Sequence, residues 1–391
     1  MSKPNKPYDV IIIGAGIHGA GIAQTCAING LKVAIIEKAA SAAMGTSSKS
    51  SKLIHGGLRY LETGELGLVR ECLKERRQLL TLAPKLVHSR RFFIPLSKHL
   101  KRHPLIMYCG LLAYWLFSGA HRSERPTWFS KSKLKAIFPK IQTNNGALSY
   151  YDAQTDDKKL TEAVLTSALE HGCELFLNTK LKGATRNEST YTLYIEGIDE
   201  TEALECKCMV NAAGPWVNEI AALITPSPAK QNIALVQGTH IILDIPAPHE
   251  CIYCEHPSDQ RAAFILPWQG KTLVGTTEKS FKGKPDECHE SEEEIDYLLE
   301  LHRHYFPSFS ASRETISRSF CGLRVLPEGN GPEHKKTRET VILSHNSNPE
   351  YIAVYGGKLT AYRLTAERVC LHIAKALNKK FNRSTKSYPL A

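Results

Sequence analysis

The sequence predicts a mixed α/β (α+β) protein: a doubly wound dinucleotide-binding domain built from discontinuous segments, with a second domain based on a β-sheet. Three observations predict it. The chain opens as strand, glycine turn, helix, strand. Helical and sheet patterns then alternate along its length, and a second glycine turn, Gly356-Gly357, stands before the last helix. With 391 residues there is room for two or three domains. Segments 1–90, 150–225 and 335–380 are assigned to the nucleotide domain, and 91–149 and 226–334 to the substrate or cap domain.

The elements follow in order. Residues 8–13 are an apolar strand, and Gly14 to Gly19 make the turn. A helix runs to about Asn29, with Gly30 as its C-cap, and 31–36 is the second strand. The Ser- and Gly-rich stretch 45–57 holds Leu53 and Ile54, with Leu58 just beyond, so it can pack instead of hanging as a linker. Apolar periodicity places helices at 66–82 and 104–117. A helix at 158–171 leads into strands at 174–177 and 191–195. Residues 208–211 form a short strand ending in Ala212-Ala213-Gly214, and 232–277 is β-rich. Ser291, with Glu294 three residues on, opens a helix through a capping box. Strands recur near Val341 and Tyr351, and a last helix covers 358–377. There is no internal repeat and no low-complexity tract.

The composition is 42% hydrophobic and 23% charged, which excludes a disordered chain. The first strand runs straight into glycines and lacks the pattern of an export signal. Eleven cysteines, odd in number and irregular in spacing, argue for reduced thiols in the cytoplasm. Cys251 and Cys254 with His256 look like half a zinc site. No second pair follows, so two thiols in a strand or turn is the better reading and no metal is expected. The net charge of +11 is concentrated: segment 85–140 holds twelve Lys or Arg against one acid, Glu124. Such a face suits anionic lipid, nucleic acid or another polyanion.

Gly14-Ala15-Gly16-Ile17-His18-Gly19 is a dinucleotide fingerprint. The first glycine permits the tight turn, the second lets the backbone approach a pyrophosphate, and the third lets helix pack on strand. The helix N-terminus faces the phosphates. Glu37 ends the second strand at the distance from which an acid reaches ribose hydroxyls. His18 is read as a solvated residue at the helix start. The fingerprint does not separate NAD from FAD.

Further motifs do so by resemblance. The run Thr46-Ser47-Ser48-Lys49-Ser50-Ser51-Lys52-Leu53-Ile54-His55-Gly56-Gly57-Leu58-Arg59-Tyr60-Leu61-Glu62 closely resembles the signature of FAD-dependent glycerol-3-phosphate dehydrogenases. Asn211-Ala212-Ala213-Gly214-Pro215-Trp216 looks like that family's second flavin motif. Gly275-Thr276-Thr277 and Tyr355-Gly356-Gly357-Lys358-Leu359-Thr360-Ala361-Tyr362-Arg363 are similar to its later ones. Several of these are shared with the wider glycine and D-amino-acid oxidase superfamily; the serine-to-Arg59 run and the last run are the specific ones.

The resemblance implies a Rossmann-type domain holding FAD, taken as dissociable because no residue stands out for a covalent link, and oxidation of sn-glycerol 3-phosphate to dihydroxyacetone phosphate with electrons passed to a quinone. It implies cofactor contacts from Gly14, Gly16, Gly19, Glu37, Thr46, Ser47, Lys52, Leu53, His55, Gly214, Trp216, Gly356, Gly357, Leu359 and Thr360. Gly356 and Gly357, set before a helix, would offer backbone donors and a positive dipole end to the flavin. The candidates for holding the substrate phosphate are Arg59, Arg324, Arg338 and Lys358, with the Tyr60 hydroxyl beside them. For Arg338 a surface ion pair is almost as good a reading. His240 matches the family's histidine and suits a general base, since imidazole titrates near physiological pH. Arg324 and Lys358 complete the catalytic set, and His55 is a second candidate base.

The apolar stretch 104–118 is too short to span a bilayer, but its basic flanks fit a helix lying in a membrane interface. Relatives in bacteria are peripheral membrane enzymes, so a peripheral contact through 85–140 at the cytoplasmic face of the inner membrane is expected; a buried cap-domain helix is the equal alternative. Nucleic acid is not expected as a partner, because the basic segment lacks the aromatic interleaving of a stacking platform. A homodimer is a further expectation. The family's C-terminal helical domain is expected to be absent, and Lys158-Lys159 depart from the small and basic pair expected after Asp156-Asp157. Two other functions compete: a related flavin enzyme acting on a hydroxy acid or amino acid, and a flavin fold that binds nucleic acid.

Overall fold

A computed structural model describes residues 6–62, 64–97, 100–143, 145–197, 201–327, 340–345 and 347–390, without the side chains of Arg59, Glu62, Thr201 and Glu202. Among the described residues two sheets organise the chain, one of nine strands and one of ten.

The first sheet has a parallel core. Tyr8–Ile13 pairs with Val33–Ile36 on one side and with Thr201–Asn211 on the other; Glu174–Phe176 and Asn348–Tyr355 extend the two flanks. These strands are near-continuous runs of Val, Ile and Ala, as burial on both faces requires. One face is covered by the helices Ile17–Ile28, Asp157–Glu170 and Tyr362–Ala376, which interlock through Ile22, Cys26, Val164, Val369 and Ile373. Close approach is possible because Gly21 leaves room for the ring of Tyr362. The register aligns Ile13 with Ile36 and Asn211, so Gly14, Glu37 and Ala212 emerge side by side at the carboxyl ends. The strands on either side of Tyr8–Ile13 are reached in opposite directions, which makes this a topological switch point, the place where open α/β sheets bind ligands.

The second sheet is mostly antiparallel, built on Ile233–Pro246, which pairs with both Lys271–Gly275 and Ile316–Pro327. Helix Glu292–Tyr305 packs on one face, starting at the Ser291 capping box with Glu294. Leu66–Leu82 and Pro104–Phe117 pack on the other. Leu53–Ile54 and the whole of Val87–Pro95 and Ala147–Thr155 belong to this sheet. The sheet boundary therefore cuts the chain differently from the expected 90 and 150, because the serine-rich loop itself crosses between the sheets.

A buried ion-pair system ties the parts together. Arg363 clamps Glu75, with its Nε 2.9 Å from Glu75 Oε2, and so joins the last helix to Leu66–Leu82. The helix Pro104–Phe117 sends Tyr114 inward: its hydroxyl accepts from the amide of Gly56 at 2.7 Å and donates to Asp152 at 2.8 Å, beside Arg76. Burial pushes the Asp152 carboxyl up to about 6 against the pull of Arg76. No helix among the described residues is long and apolar enough to cross a membrane.

Candidate active site

A cavity of about 960 Å³ runs from the glycine fingerprint, across the switch point, to the face of the second sheet. That is the size range of small-molecule sites. Its walls bring together residues that are far apart in sequence: Gly14, Gly16, Glu37, Thr46, Ser47, Leu53, His55, Tyr60, Gly214, Trp216, His240, Arg324, Gly356, Gly357, Lys358, Leu359 and Thr360.

At the fingerprint end, Gly14 has φ +104°, and a Cβ there would meet the Ala212 carbonyl oxygen at 2.8 Å; only glycine fits. Gly19 stands behind the turn and packs on Gly14, away from the cavity wall. The Glu37 carboxylate holds the turn by accepting from the amides of Ala15 (2.8 Å) and Ala39 (2.9 Å), which leaves lone pairs for ribose hydroxyls. Ser47 accepts from the amide of Ile17 at 2.9 Å, so the loop also caps the first helix, and Thr46 donates to the Leu323 carbonyl at 2.8 Å.

The serine-rich loop is fixed at its middle by Asp157. That buried carboxylate accepts from the Ser50 amide (2.9 Å), the Ser50 hydroxyl (2.7 Å) and Lys52 Nζ (2.6 Å). Lys52 is thereby corrected: it does not line the cavity, and its ammonium is committed to Asp157 and the Ser48 carbonyl. Drawing the lysine away toward a ligand would leave the buried Asp157 carboxylate without its counter-ion, which is strongly destabilising. Thr360 bonds the backbone of His55 in both directions, at 3.0 and 3.2 Å, so the two specific motifs are joined directly.

His18 is also corrected. Its half-buried ring lies against Gly357 in the cavity wall; its Nδ1 is buried with no hydrogen-bond partner, and burial pushes its pKa down to about 4. Gly357 has φ +105°, and any side chain there would strike that ring. The expected helix directly after the glycine pair starts later, at Tyr362. Residues Lys358 to Ala361 form a turn instead, so the dipole end is displaced from the glycines, which line the cavity.

At the second-sheet end, His240 is buried. Its Nε2 is 2.9 Å from Ser51 Oγ, its ring stacks on Phe320 at 4.9 Å, and its Nδ1 has no partner. Burial, then the Arg324 and Lys52 charges, holds its pKa well below the usual histidine range. The expected near-neutral titration is corrected accordingly: the imidazole is uncharged at neutral pH. Arg324 donates to Thr276 Oγ1 at 3.2 Å and lies 3.8 Å from Glu278, which Arg261 also grips. Lys358 Nζ is buried without a hydrogen-bond partner, 3.8 Å over the Tyr60 ring. The side chain of Arg59 and the whole of Arg338 lie outside the described residues. Ser51, Lys49, Arg261, Thr276 and Glu278 also line the cavity, and the sequence assigns them no role; Ser51 lies inside the serine run, but nothing in that run singles out one serine.

Cys251 and Cys254 are buried in the strand Cys251–Glu255, and His256 stacks on Tyr297 at 3.6 Å. Among the described residues no group of His, Cys, Asp or Glu could hold a metal ion.

Buried nitrogens without partners in one cavity, His18 Nδ1 and Lys358 Nζ among them, and a glycine-lined cradle at a switch point define a dinucleotide-dependent enzyme. The chain belongs to the FAD dependent oxidoreductase family, whose model matches residues 9–363. Its cofactor is accordingly FAD, and the chain is an oxidoreductase. It is 36% identical over 382 residues to a glycerol-3-phosphate dehydrogenase of Pseudomonas aeruginosa, covering 94% of this chain and 73% of the relative. It is 35% identical over 373 residues to a D-erythritol 1-phosphate dehydrogenase of Brucella abortus, covering 94% and 74%. Among solved structures, the glycerol-3-phosphate dehydrogenase from Bacillus halodurans complexed with FAD superposes with a TM-score of 0.79 at 25% identity, over 99% of this chain and 68% of that one.

Proposed function

We propose that the enzyme oxidises sn-glycerol 3-phosphate to dihydroxyacetone phosphate and passes the electrons to a quinone. The observation that carries this reading is Lys358: a buried ammonium with no hydrogen-bonding partner, in the chamber that also holds His240 and Arg324. A buried cation without an anion is costly, and a phosphate dianion would satisfy it. FAD, when bound, supplies the two-electron acceptor.

The residues of this chain divide the remaining work. Lys358 and Arg324, which both line the chamber, hold the phosphate end. His240 takes the hydroxyl proton on its unpartnered Nδ1, while Ser51 fixes the ring through Nε2. The low pKa means that the basic form prevails from mildly acidic pH upward. Phe92, Tyr253 and Phe264 line the chamber with apolar surface that excludes water around the reacting carbon.

A peripheral membrane contact fits the quinone. On Pro104–Phe117, Leu105, Ile106 and Leu116 are 58%, 62% and 59% exposed, and Lys101, Arg102 and Arg122 flank them. Large apolar side chains ringed by cations suit the headgroup boundary of anionic lipid.

A second reading, a four-carbon polyol phosphate, is favoured by the Brucella relative. Steady-state kcat/KM with a quinone analogue separates the two. Glycerol 3-phosphate is expected to be turned over at least tenfold more efficiently than erythritol 1-phosphate; the reverse order replaces the first reading with the second.

A further inference from the structure

Of the eleven cysteines, Cys109 and Cys288 are the two that are not buried. Cys288 follows the single turn Pro285–Glu287, and its Sγ lies 3.2 Å from Sγ of Cys321 on the strand Ile316–Pro327. We propose that Cys288 and Cys321 are a modification site: a dithiol that a peroxide closes to a disulfide.

Four features support the assignment. The sulfurs need to move together by only about 1 Å to reach bonding distance. Cys288 is half-exposed, so an oxidant can reach it, while Cys321 is held behind it on a paired strand. The two thiols are electrostatically unlike: the neighbouring Cys321 thiol and the charge of Lys49 favour the Cys288 thiolate, whereas Cys321 is driven upward. An attacking sulfur and a resolving sulfur are thereby distinguished. Finally, both elements touch the cavity. The turn carries Asp286, which lines it and pairs with Lys38 at 2.8 Å, and Cys321 leads into Gly322, Leu323 and Arg324 of the wall. The other close pair, Cys26 and Cys370 at 3.6 Å, is fully buried between helices and closed to an oxidant.

The chemistry balances. The Cys288 thiolate attacks one oxygen of hydrogen peroxide, the O–O bond breaks, and the released hydroxide takes a proton to leave as water. Cys321 Sγ then attacks the sulfenic sulfur, its S–H proton leaves with the hydroxyl as a second water, and the S–S bond forms. Two thiols lose two electrons and one peroxide gains them. An external dithiol reverses the step by exchange.

The test uses the FAD-loaded enzyme, treated with hydrogen peroxide, alkylated with N-ethylmaleimide and mapped by peptide mass. The expected result is a cross-linked peptide joining Cys288 to Cys321, the loss of two alkylatable thiols, and recovery of both after dithiothreitol. In Cys321→Ser, the trapping reagent dimedone should label Cys288. A map in which both cysteines remain alkylated while Cys109 is oxidised overturns the proposal, as does dimedone labelling that bypasses Cys288 in the Cys321→Ser variant.

Discussion

The ammonium of Lys358 sits 3.8 Å over the ring of Tyr60, and among the described residues no atom accepts a hydrogen bond from it. Tyr60 belongs to the serine-to-Glu62 run and Lys358 to the GGKLTAYR run, so the two most specific motifs touch in the wall of the chamber. A cation–π contact offsets only part of the cost of burying a charge, and the remaining demand is for an anion. Lys358→Met is therefore expected to lower kcat/KM for glycerol 3-phosphate by a factor on the order of 10² to 10³, the effect of truncating one partner of a buried charge pair. FAD should stay bound, as read from the visible spectrum after gel filtration. Arg324→Ala should behave in the same direction.

The pair His240 and Ser51 makes a second prediction. Removing the base, as in His240→Gln, should slow flavin reduction about 10² to 10⁴-fold. Because burial and the Arg324 charge depress the His240 pKa, the acidic limb of the wild-type reduction rate should lie below pH 6.5. A limb centred above that value would assign the proton to another group. Stopped-flow absorbance across a pH series measures both.

Arg363 and Glu75 concern stability alone. Arg363→Met leaves the Glu75 carboxylate buried and unpaired between two helices, and unfolding free energy should fall by about 3–5 kcal/mol. Chemical denaturation of the FAD-loaded protein is the measurement, and the double variant Arg363→Met with Glu75→Leu should recover much of the loss.

His302 is buried, its Nδ1 has no partner, and burial brings its pKa from 6.5 to about 4. A histidine with a lowered folded pKa binds its proton mainly after unfolding. Its contribution is thus complete above about pH 6.5 and is lost as pH falls toward 4, by up to about 3 kcal/mol. His302→Leu should flatten the stability curve in that window, measured by denaturation at a series of pH values.

The exposed side chains of Pro104–Phe117 bear on the membrane reading. Ile106→Glu is expected to reduce flotation with vesicles rich in phosphatidylglycerol several-fold while leaving flavin reduction unchanged. Equal flotation of variant and wild type would assign the apolar face elsewhere.

Much of this arrangement was legible in the residues. The helices at 66–82 and 104–117 end where their apolar periodicity ends, and the Ser291–Glu294 capping box forms as its spacing requires. What escaped did so for physical reasons. Val87–Pro95 carries the polar run Ser89, Arg90 and Arg91 inside a strand, and it hides the alternation that marks one. The last helix starts at Tyr362 because Gly357 holds φ +105° and the chain needs a turn before it can wind. Lys52 and His18 were misplaced because burial of a charge or a ring depends on partners far away in sequence, Asp157 and Gly357, which local pattern cannot reveal. Ser51 gained its meaning only when the second sheet brought His240 within 2.9 Å.

The most direct test is anaerobic mixing of the FAD-loaded enzyme with glycerol 3-phosphate while the flavin band is followed. Rapid loss of the oxidised absorbance, greatly slowed in Lys358→Met, is the result predicted. An oxidised band that persists in the wild type, while another alcohol or amine bleaches it, would contradict the reading.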